Sequence, residues 1–139
     1  MAPVKSGMPI FLDTHAWVWW VTKDQRLSGK ATQAIEHAAR GEGVSLSVIS
    51  VWEVAKKVEK GQFVLDRPLR QWMEQALAIT GLQLVELTPA ILIESCELPQ
   101  PFHGDPADQM IVASARHHQA ALVTKDQKLR GYQQVQTIW

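Results

Sequence analysis

Short apolar segments alternate along this chain with segments of helical length, and this alternation limits the folds open to it. The apolar segments lie at about 9–12, 43–46, 82–87, 120–124 and 135–139. Helices are predicted between them, at about 14–21, 30–40, 50–59, 68–80, 89–97 and 106–119. Strands that alternate with helices in this way predict an α/β domain with a mostly parallel central sheet.

Composition narrows the class of protein further. A chain of 139 residues, 46% of them hydrophobic, is expected to form one domain. Its 14 basic and 14 acidic side chains cancel, which disfavours nucleic-acid binding by the whole surface but leaves a local basic patch open. Cys96 is the single cysteine, so no internal disulfide can form, and we expect it to be a buried helix residue. No segment approaches the ~20 apolar residues of a membrane span, so we expect a cytoplasmic protein without membrane contact.

Two acidic residues follow predicted strands. Asp13 comes directly after the first strand, and Asp126 follows the fourth strand by two residues. Ligands of open parallel sheets bind outside the carboxyl ends of the strands, so both carboxylates are expected there. Each also has a structural alternative, because Asp13 is a favourable helix N-cap and Asp126 suits a turn or the cap of a short helix.

A third acid, Glu53, lies in the first turns of the helix that leaves the second strand. The structural alternative is an ordinary ion pair with Lys57, four residues later. The predicted buried stripe of this helix consists of Val48, Val51, Trp52, Ala55 and Val58.

The segment HGDPAD carries two further acids at the start of a helix. Asp105 is expected to be the N-cap, with Pro106 in the first turn and Asp108 in the third helical position. Asp108 precedes apolar Ile111 and Val112 and is therefore the better candidate to point into a cleft.

Asp13, Glu53, Asp108 and Asp126 come from separate strand–helix junctions that a parallel sheet would bring together. Unpaired, these carboxylates would repel one another, whereas a hard divalent cation such as Mg²⁺ or Mn²⁺ would relieve the repulsion. Such a cluster is typical of metal-assisted phosphodiester hydrolysis. The basic residues near the acids in sequence are candidates for phosphate binding: Lys56, Lys57, Arg116, Lys125 and Lys128. The histidines have neither metal-site spacing nor a clear acid partner, so surface or loop roles are expected for them.

Five motifs in order resemble those of PIN-domain ribonucleases, specifically the VapC-type toxins of bacterial toxin–antitoxin pairs. They are FLDTHAWVWW, SVISVWEVAKKVEKGQF, PLRQWMEQALAITGLQLVELT, HGDPADQMIVASA and LVTKDQKLRGY. The resemblance covers nearly the whole chain. It implies a PIN-like α/β fold, in which a five-stranded parallel sheet has helices on both faces.

The resemblance also implies Mg²⁺- or Mn²⁺-dependent endonucleolytic cleavage of RNA. Asp13, Glu53, Asp108 and Asp126 would bind the metal or activate water. Asp105 would be an accessory acid, and Thr124 would place a hydroxyl near the metal. Members of this family commonly form homodimers and are inhibited by a small VapB-type antitoxin, which supplies the contacts to operator DNA.

The chain departs from the family pattern at two places. Gln109 stands where an arginine usually follows the second aspartate of the DPAD run, and residues 1–8 extend ahead of the usual start. We expect residues 1–8 to form an N-terminal tail and residues 9–139 a single nuclease domain.

Two other functions are compatible with part of the sequence. A receiver-type phosphoacceptor domain has a similar length and sheet, although its acid pair should end the first strand. A PIN fold retained only for binding antitoxin or operator DNA, with catalysis weakened, would be consistent with Gln109.

Overall fold

The computed structural model describes residues 7–139, in which five short strands form one parallel sheet. The strands are β1 (Ile10–Leu12), β2 (Val44–Ser47), β3 (Leu82–Val85), β4 (Ala121–Val123) and β5 (Thr137–Ile138). The helices are α1 (Thr14–Thr22), α2 (Gly29–Arg40), α3 (Ile49–Glu59), α4 (Leu69–Leu77), α5 (Pro89–Cys96), α6 (Pro106–His117) and α7 (Gln127–Arg130). The α/β class and the position of each predicted strand are therefore confirmed.

The order of the strands places β1 and β4 next to each other at the centre of the sheet. The order is β3-β2-β1-β4-β5, and Ile10, Phe11 and Leu12 pair with Ala121, Leu122 and Val123. Strands β2 and β3 lie on one side of this pair and β5 on the other, so the direction in which strands are added reverses here, and the crevice beyond the carboxyl ends of β1 and β4 is the expected ligand site. The order also differs from the 2-1-3-4-5 arrangement of receiver domains, which excludes the phosphoacceptor hypothesis.

Apolar residues pack on both faces of the sheet. Along β1, Ile10 and Leu12 belong to one core cluster and Phe11 to the other, because successive strand residues point to opposite faces. Trp17, Ile35 and Trp72, from α1, α2 and α4, fill the first cluster. Ile91 of α5 and Ile111 of α6 fill the second. Helices on both faces are thus confirmed.

Polar side chains cap several helices where the sequence predicts a helix start. Thr88 accepts a hydrogen bond from the backbone N–H of Ile91 at 3.3 Å. Asp105 accepts one from the N–H of Asp108 at 3.0 Å, which confirms its capping role. Each bond satisfies an N–H that has no partner inside its helix.

Two burial predictions are wrong. Helix α3 buries Ser50 and Val54, whereas Trp52 of the predicted stripe is 56% exposed. This helix carries apolar residues around most of its circumference, so the pattern alone does not decide which side packs on the sheet. Cys96 is exposed, because it is the last residue of α5 and lies off the side that buries Ile91 and Ser95.

Residues 1–6 of the predicted tail lie outside the described residues, while Met8 packs against the first core cluster. Within residues 7–139, none of the helices combines the length and the apolar character that crossing a membrane requires.

Gly81, between α4 and β3, is a site where a side chain is expected to be costly. Its φ is +90°, and a Cβ atom would lie 2.5 Å from the carbonyl oxygen of Ala39. We predict that Gly81→Ala lowers the free energy of unfolding by at least about 1 kcal/mol, because alanine is strained at this φ and backbone must move. Urea denaturation measures the change. Gly29→Ala is the matched control, since nothing lies within 4 Å of its Cβ position; equal stability of the two variants would contradict the prediction.

Candidate active site

A cavity of about 960 Å³ opens beyond the carboxyl ends of β1 and β4, and acidic side chains line much of it. The acids come from four different junctions of the chain: Asp13, Glu53, Asp105 with Asp108, and Asp126. The structure therefore brings together all the carboxylates that the sequence places at strand and helix ends. Asp13, Glu53 and Asp108 also lie close enough for their charges to influence one another.

Asp13 is the most enclosed of these acids, with 7% of its surface exposed. It ends β1 and caps α1, so its Oδ1 accepts the N–H of Ala16 at 2.8 Å. Its Oδ2 accepts a hydrogen bond from the hydroxyl of Thr124. The pKa of Asp13 is raised to about 7, mainly by burial and to a lesser extent by the charges of Asp108 and Glu53, while the two hydrogen bonds act in the opposite direction. The chain thus holds a carboxylate where ionisation is costly without a compensating cation.

Thr124 connects Asp13 to the segment that follows β4, which carries Asp126. Its side chain is fully buried, and its Oγ1 accepts the N–H of Asp126 at 3.1 Å while donating to Asp13. Asp126 in turn caps α7, since its Oδ1 accepts the N–H of Lys128 at 2.8 Å. Asp126 therefore caps a short helix, as its structural alternative predicts, and it also lines the acidic cavity.

Glu53 reaches the same cavity from α3. Its Oε1 accepts a hydrogen bond from the hydroxyl of Thr14, which also lies 2.9 Å from the hydroxyl of Ser50. Burial raises the pKa of Glu53, and the nearby charge of Asp108 adds to the effect. Its polar contact is therefore Thr14 rather than an ion pair with Lys57. Thr14 is not among the site residues that the sequence predicts, although its place directly after Asp13 is a usable signal.

Asp108 pairs with His103, for which a surface or loop role is predicted and which lies in the loop before α6. His103 Nε2 lies 2.8 Å from Asp108 Oδ2, and the two side chains are 18% and 21% exposed. The expectation that no histidine has an acid partner is therefore wrong. Burial raises the pKa of Asp108, against the hydrogen bond from His103. The loop that precedes α6 turns His103 back toward the helix. A separation of five residues from Asp108 does not by itself indicate this contact.

Basic side chains line the same cavity as the acids. They are Lys57, Lys125 and Lys128. The ammonium of Lys57 lies 5.6 Å from the ring centre of Phe63, and that of Lys125 lies 5.7 Å from the ring centre of Trp19. Aromatic rings at these distances hold a lysine in place without neutralising its charge.

Arg116, which the sequence analysis included among the phosphate-binding candidates, lies elsewhere. It is in the last turn of α6 and donates a hydrogen bond to the carbonyl oxygen of Gln134. Asp108 is in the first turn of the same helix, and eight residues at 1.5 Å each separate the two by about 12 Å. Arg116 does not line the acidic cavity.

The oxygen-rich ligands of this cavity fit a hard divalent cation. As placed, no three Asp, Glu, His or Cys side chains among residues 7–139 converge as a ready-made set of ligands. Glu53, Asp13 and Asp108 are instead hydrogen-bonded to Thr14, Thr124 and His103. Mg²⁺ is usually bound through one or two carboxylates and several waters, so an open wall of oxygens suits it better than a closed cage.

Gln109 faces away from the acids. Its side-chain amide donates to the carbonyl oxygen of Ser95 at 3.2 Å and so connects α6 to α5. The residue in which the chain departs from the family pattern is therefore outside the acidic cavity.

Comparisons with known proteins agree with this architecture. Residues 10–134 match the family model of the PIN domain. The chain is 37% identical over 132 residues to ribonuclease VapC22 of Mycobacterium tuberculosis, covering 94% of this chain and 98% of that protein.

Solved structures with the same fold include VapBC2 from Rickettsia felis bound to a promoter DNA fragment. The TM-score is 0.66 and the identity is 18%, and the match covers 94% of this chain and 97% of that one. A toxin–antitoxin complex from Klebsiella pneumoniae has a TM-score of 0.62 and 20% identity, over 91% and 94% of the two chains.

Proposed function

The chain is a VapC-type member of the PIN domain family, and from this premise we propose that it is a metal-dependent endoribonuclease that acts as the toxin of a toxin–antitoxin pair. The observation that carries the proposal is the buried carboxylate of Asp13, placed beside Glu53 and Asp108 in one cavity. Three buried or half-buried acids with raised pKa values are a costly arrangement for a purely structural site.

We propose Asp13, Glu53, Asp108 and Asp126 as the ligands of Mg²⁺ or Mn²⁺, directly or through water. When bound, the cation polarises a phosphoryl oxygen and lowers the pKa of a coordinated water. Lys57 and Lys125 stand at the same cavity and are suited to hold the phosphates of the RNA backbone.

The remaining side chains keep the acids in position. Thr124 fixes one oxygen of Asp13, and Thr14 fixes one oxygen of Glu53. His103 holds Asp108 in the same way, and Asp105 caps the helix from which Asp108 projects. Because these contacts set side-chain orientation, we assign Thr14, Thr124, His103 and Asp105 as positioning residues rather than ligands.

RNA is the proposed substrate because a relative that matches nearly the full length of both chains is a ribonuclease. The proposed protein partner is a small antitoxin of the VapB type, since structures with the same fold are toxin–antitoxin complexes. Contacts to operator DNA would come through that antitoxin. A pair of this kind would act in the cytoplasm.

We also propose that the chain forms a homodimer. Several large apolar side chains are exposed on it, among them Trp52 at 56% and Ile93 at 60%. These side chains are accessible to a second copy of the chain. Light scattering on the purified protein gives the oligomeric state, and a monomer would contradict the proposal.

The test is cleavage of single-stranded RNA by the purified protein with Mg²⁺, with Mn²⁺ and with EDTA. We expect internal cuts in either metal and none in EDTA, with single-stranded DNA of the same sequence as the comparison substrate. Absence of RNA cleavage at every metal concentration, by a folded protein free of antitoxin, would overturn the proposal.

A further inference from the structure

A second cavity, of about 700 Å³, adjoins the acidic cavity and shares three residues with it. The shared residues are His103, Gln127 and Lys128. The second cavity lies between the loop that precedes α6 and the segment that follows α7. Because the two cavities meet along these side chains, an extended polymer bound across the acidic cavity can continue into the second cavity.

The chemistry of the second cavity differs from that of the first. None of the described residues that line it is acidic, and Lys128 is its one lysine or arginine. Its hydrogen-bonding groups are mainly amides, which come from Gln100, Gln127, Gln133 and Gln134. A glutamine amide offers both donors and an acceptor, which is what the edge of a nucleobase requires.

Aromatic rings and Pro101 form the apolar part of its wall, where Phe102 is partly buried and Tyr132 is 8% exposed. Phe102 stacks on His103 with 4.4 Å between ring centres, and it meets Tyr132 edge-on at 5.0 Å. The hydroxyl of Tyr132 donates to the carbonyl oxygen of Pro99 at 2.7 Å, which connects this wall to the loop. The rings are therefore held by their neighbours, and little ordering is needed before a flat ligand binds.

We propose that this second cavity is a nucleobase subsite, which binds one unpaired base of the RNA next to the phosphate held at the acidic cavity. The inference rests on the proposed function. Single-stranded RNA is recognised through bases that are turned out of the stack, packed on aromatic side chains and hydrogen-bonded at their edges. Lys128, at the junction of the two cavities, is placed to contact the phosphate that joins the bound base to the scissile group.

The subsite is tested by binding, so that the result does not depend on cleavage. All proteins carry Asp13→Asn, and the probes are fluorescein-labelled single-stranded RNA octamers, either intact or with one abasic nucleotide at each position in turn. We expect an abasic nucleotide at one position to weaken binding about 5- to 150-fold, the range for loss of one stacked base.

The variant is Gln127→Ala with Gln133→Ala, which removes two exposed amides of the subsite. We expect it to bind the intact octamer more weakly and to lose part of the penalty for the abasic nucleotide, because the contacts to the edge of the base are removed while the aromatic wall remains. The matched control is Gln33→Ala with Gln71→Ala, two exposed glutamines on α2 and α4 that line neither cavity. The control should bind like the parent protein.

Three results would overturn the subsite: equal binding of intact and abasic octamers, a full abasic penalty in the Gln127/Gln133 variant, or loss of antitoxin binding by that variant with RNA binding unchanged. The last result would assign the cavity to a protein partner. Wild-type protein that cleaves RNA but ignores the abasic nucleotide refutes the subsite alone. Base-dependent binding without cleavage in any metal refutes the nuclease proposal alone.

Discussion

Replacing Asp13 with asparagine is expected to slow RNA cleavage by more than about 10³-fold. One donor to a developing charge is typically worth roughly 10²–10³ in rate, and a metal ligand in a buried site should be worth at least as much. Asparagine has the same shape as aspartate and is an equally good N-cap, so it can still accept the N–H of Ala16. The substitution therefore removes the charge while it preserves the start of α1.

The rate is measured with a labelled single-stranded RNA at saturating Mn²⁺, and circular dichroism confirms that the variant is folded. Asp66→Asn is the matched control, because the Asp66 side chain is 71% exposed and, among residues 7–139, its ion-pair partner is its neighbour Arg67 alone. We expect this control to cleave at the wild-type rate. Cleavage by Asp13→Asn within tenfold of wild type would show that Asp13 is only a helix cap.

The same substitution is expected to have a second large effect, on the stability of the metal-free protein. Asp13→Asn slows cleavage but is expected to raise the free energy of unfolding. The pKa of Asp13 is about 7 in the folded protein and near 3.8 in the unfolded chain. Between these two values the folded state binds more protons than the unfolded state, so the free energy of unfolding decreases as the pH rises from about 4 to 7. Asp13→Asn removes this dependence and is expected to stabilise the metal-free protein at pH 8 by up to about 4 kcal/mol.

Urea denaturation in EDTA, at pH 5 and at pH 8, measures this effect for the wild type and the variant. Comparing the two proteins cancels the titrating groups that do not interact with Asp13 and leaves Asp13 with its coupling to Glu53 and Asp108. We expect Asp13→Asn to be more stable than the wild type by about 1.6 kcal/mol at pH 5 and by up to about 4 kcal/mol at pH 8. Added Mn²⁺ should then stabilise the wild type more than the variant at pH 8. Stability curves that run parallel in pH would contradict the raised pKa of Asp13.

The sequence predicts the sheet well because its strands are short apolar runs with clear stops. Thr88 and Asp105 identify helix starts by their chemistry, and the structure has both as N-caps. Asp13 and Asp126 could be placed at one edge of the sheet for a simple reason. The ends of parallel strands meet there, whatever the details of packing.

Other features depend on packing that a single sequence does not specify. Helix α3 has apolar residues on several sides, so the exposure of Trp52 is decided by how the helix sits on the sheet. The contact between His103 and Asp108 depends on the course of a loop. Arg116 is near Asp108 in sequence but is two turns farther along α6, so sequence distance misplaced it.

The central claim is that Asp13, Glu53, Asp108 and Asp126 share one divalent-cation site. The most direct test is a crystal of the protein soaked in Mn²⁺, with the ion located by its anomalous scattering. We expect a manganese peak in the cavity beyond β1 and β4, with oxygen atoms of at least two of these carboxylates within about 2.5 Å of it or joined to it by water. A fully soaked crystal whose manganese lies only elsewhere on the surface, with this cavity open to solvent, would contradict it.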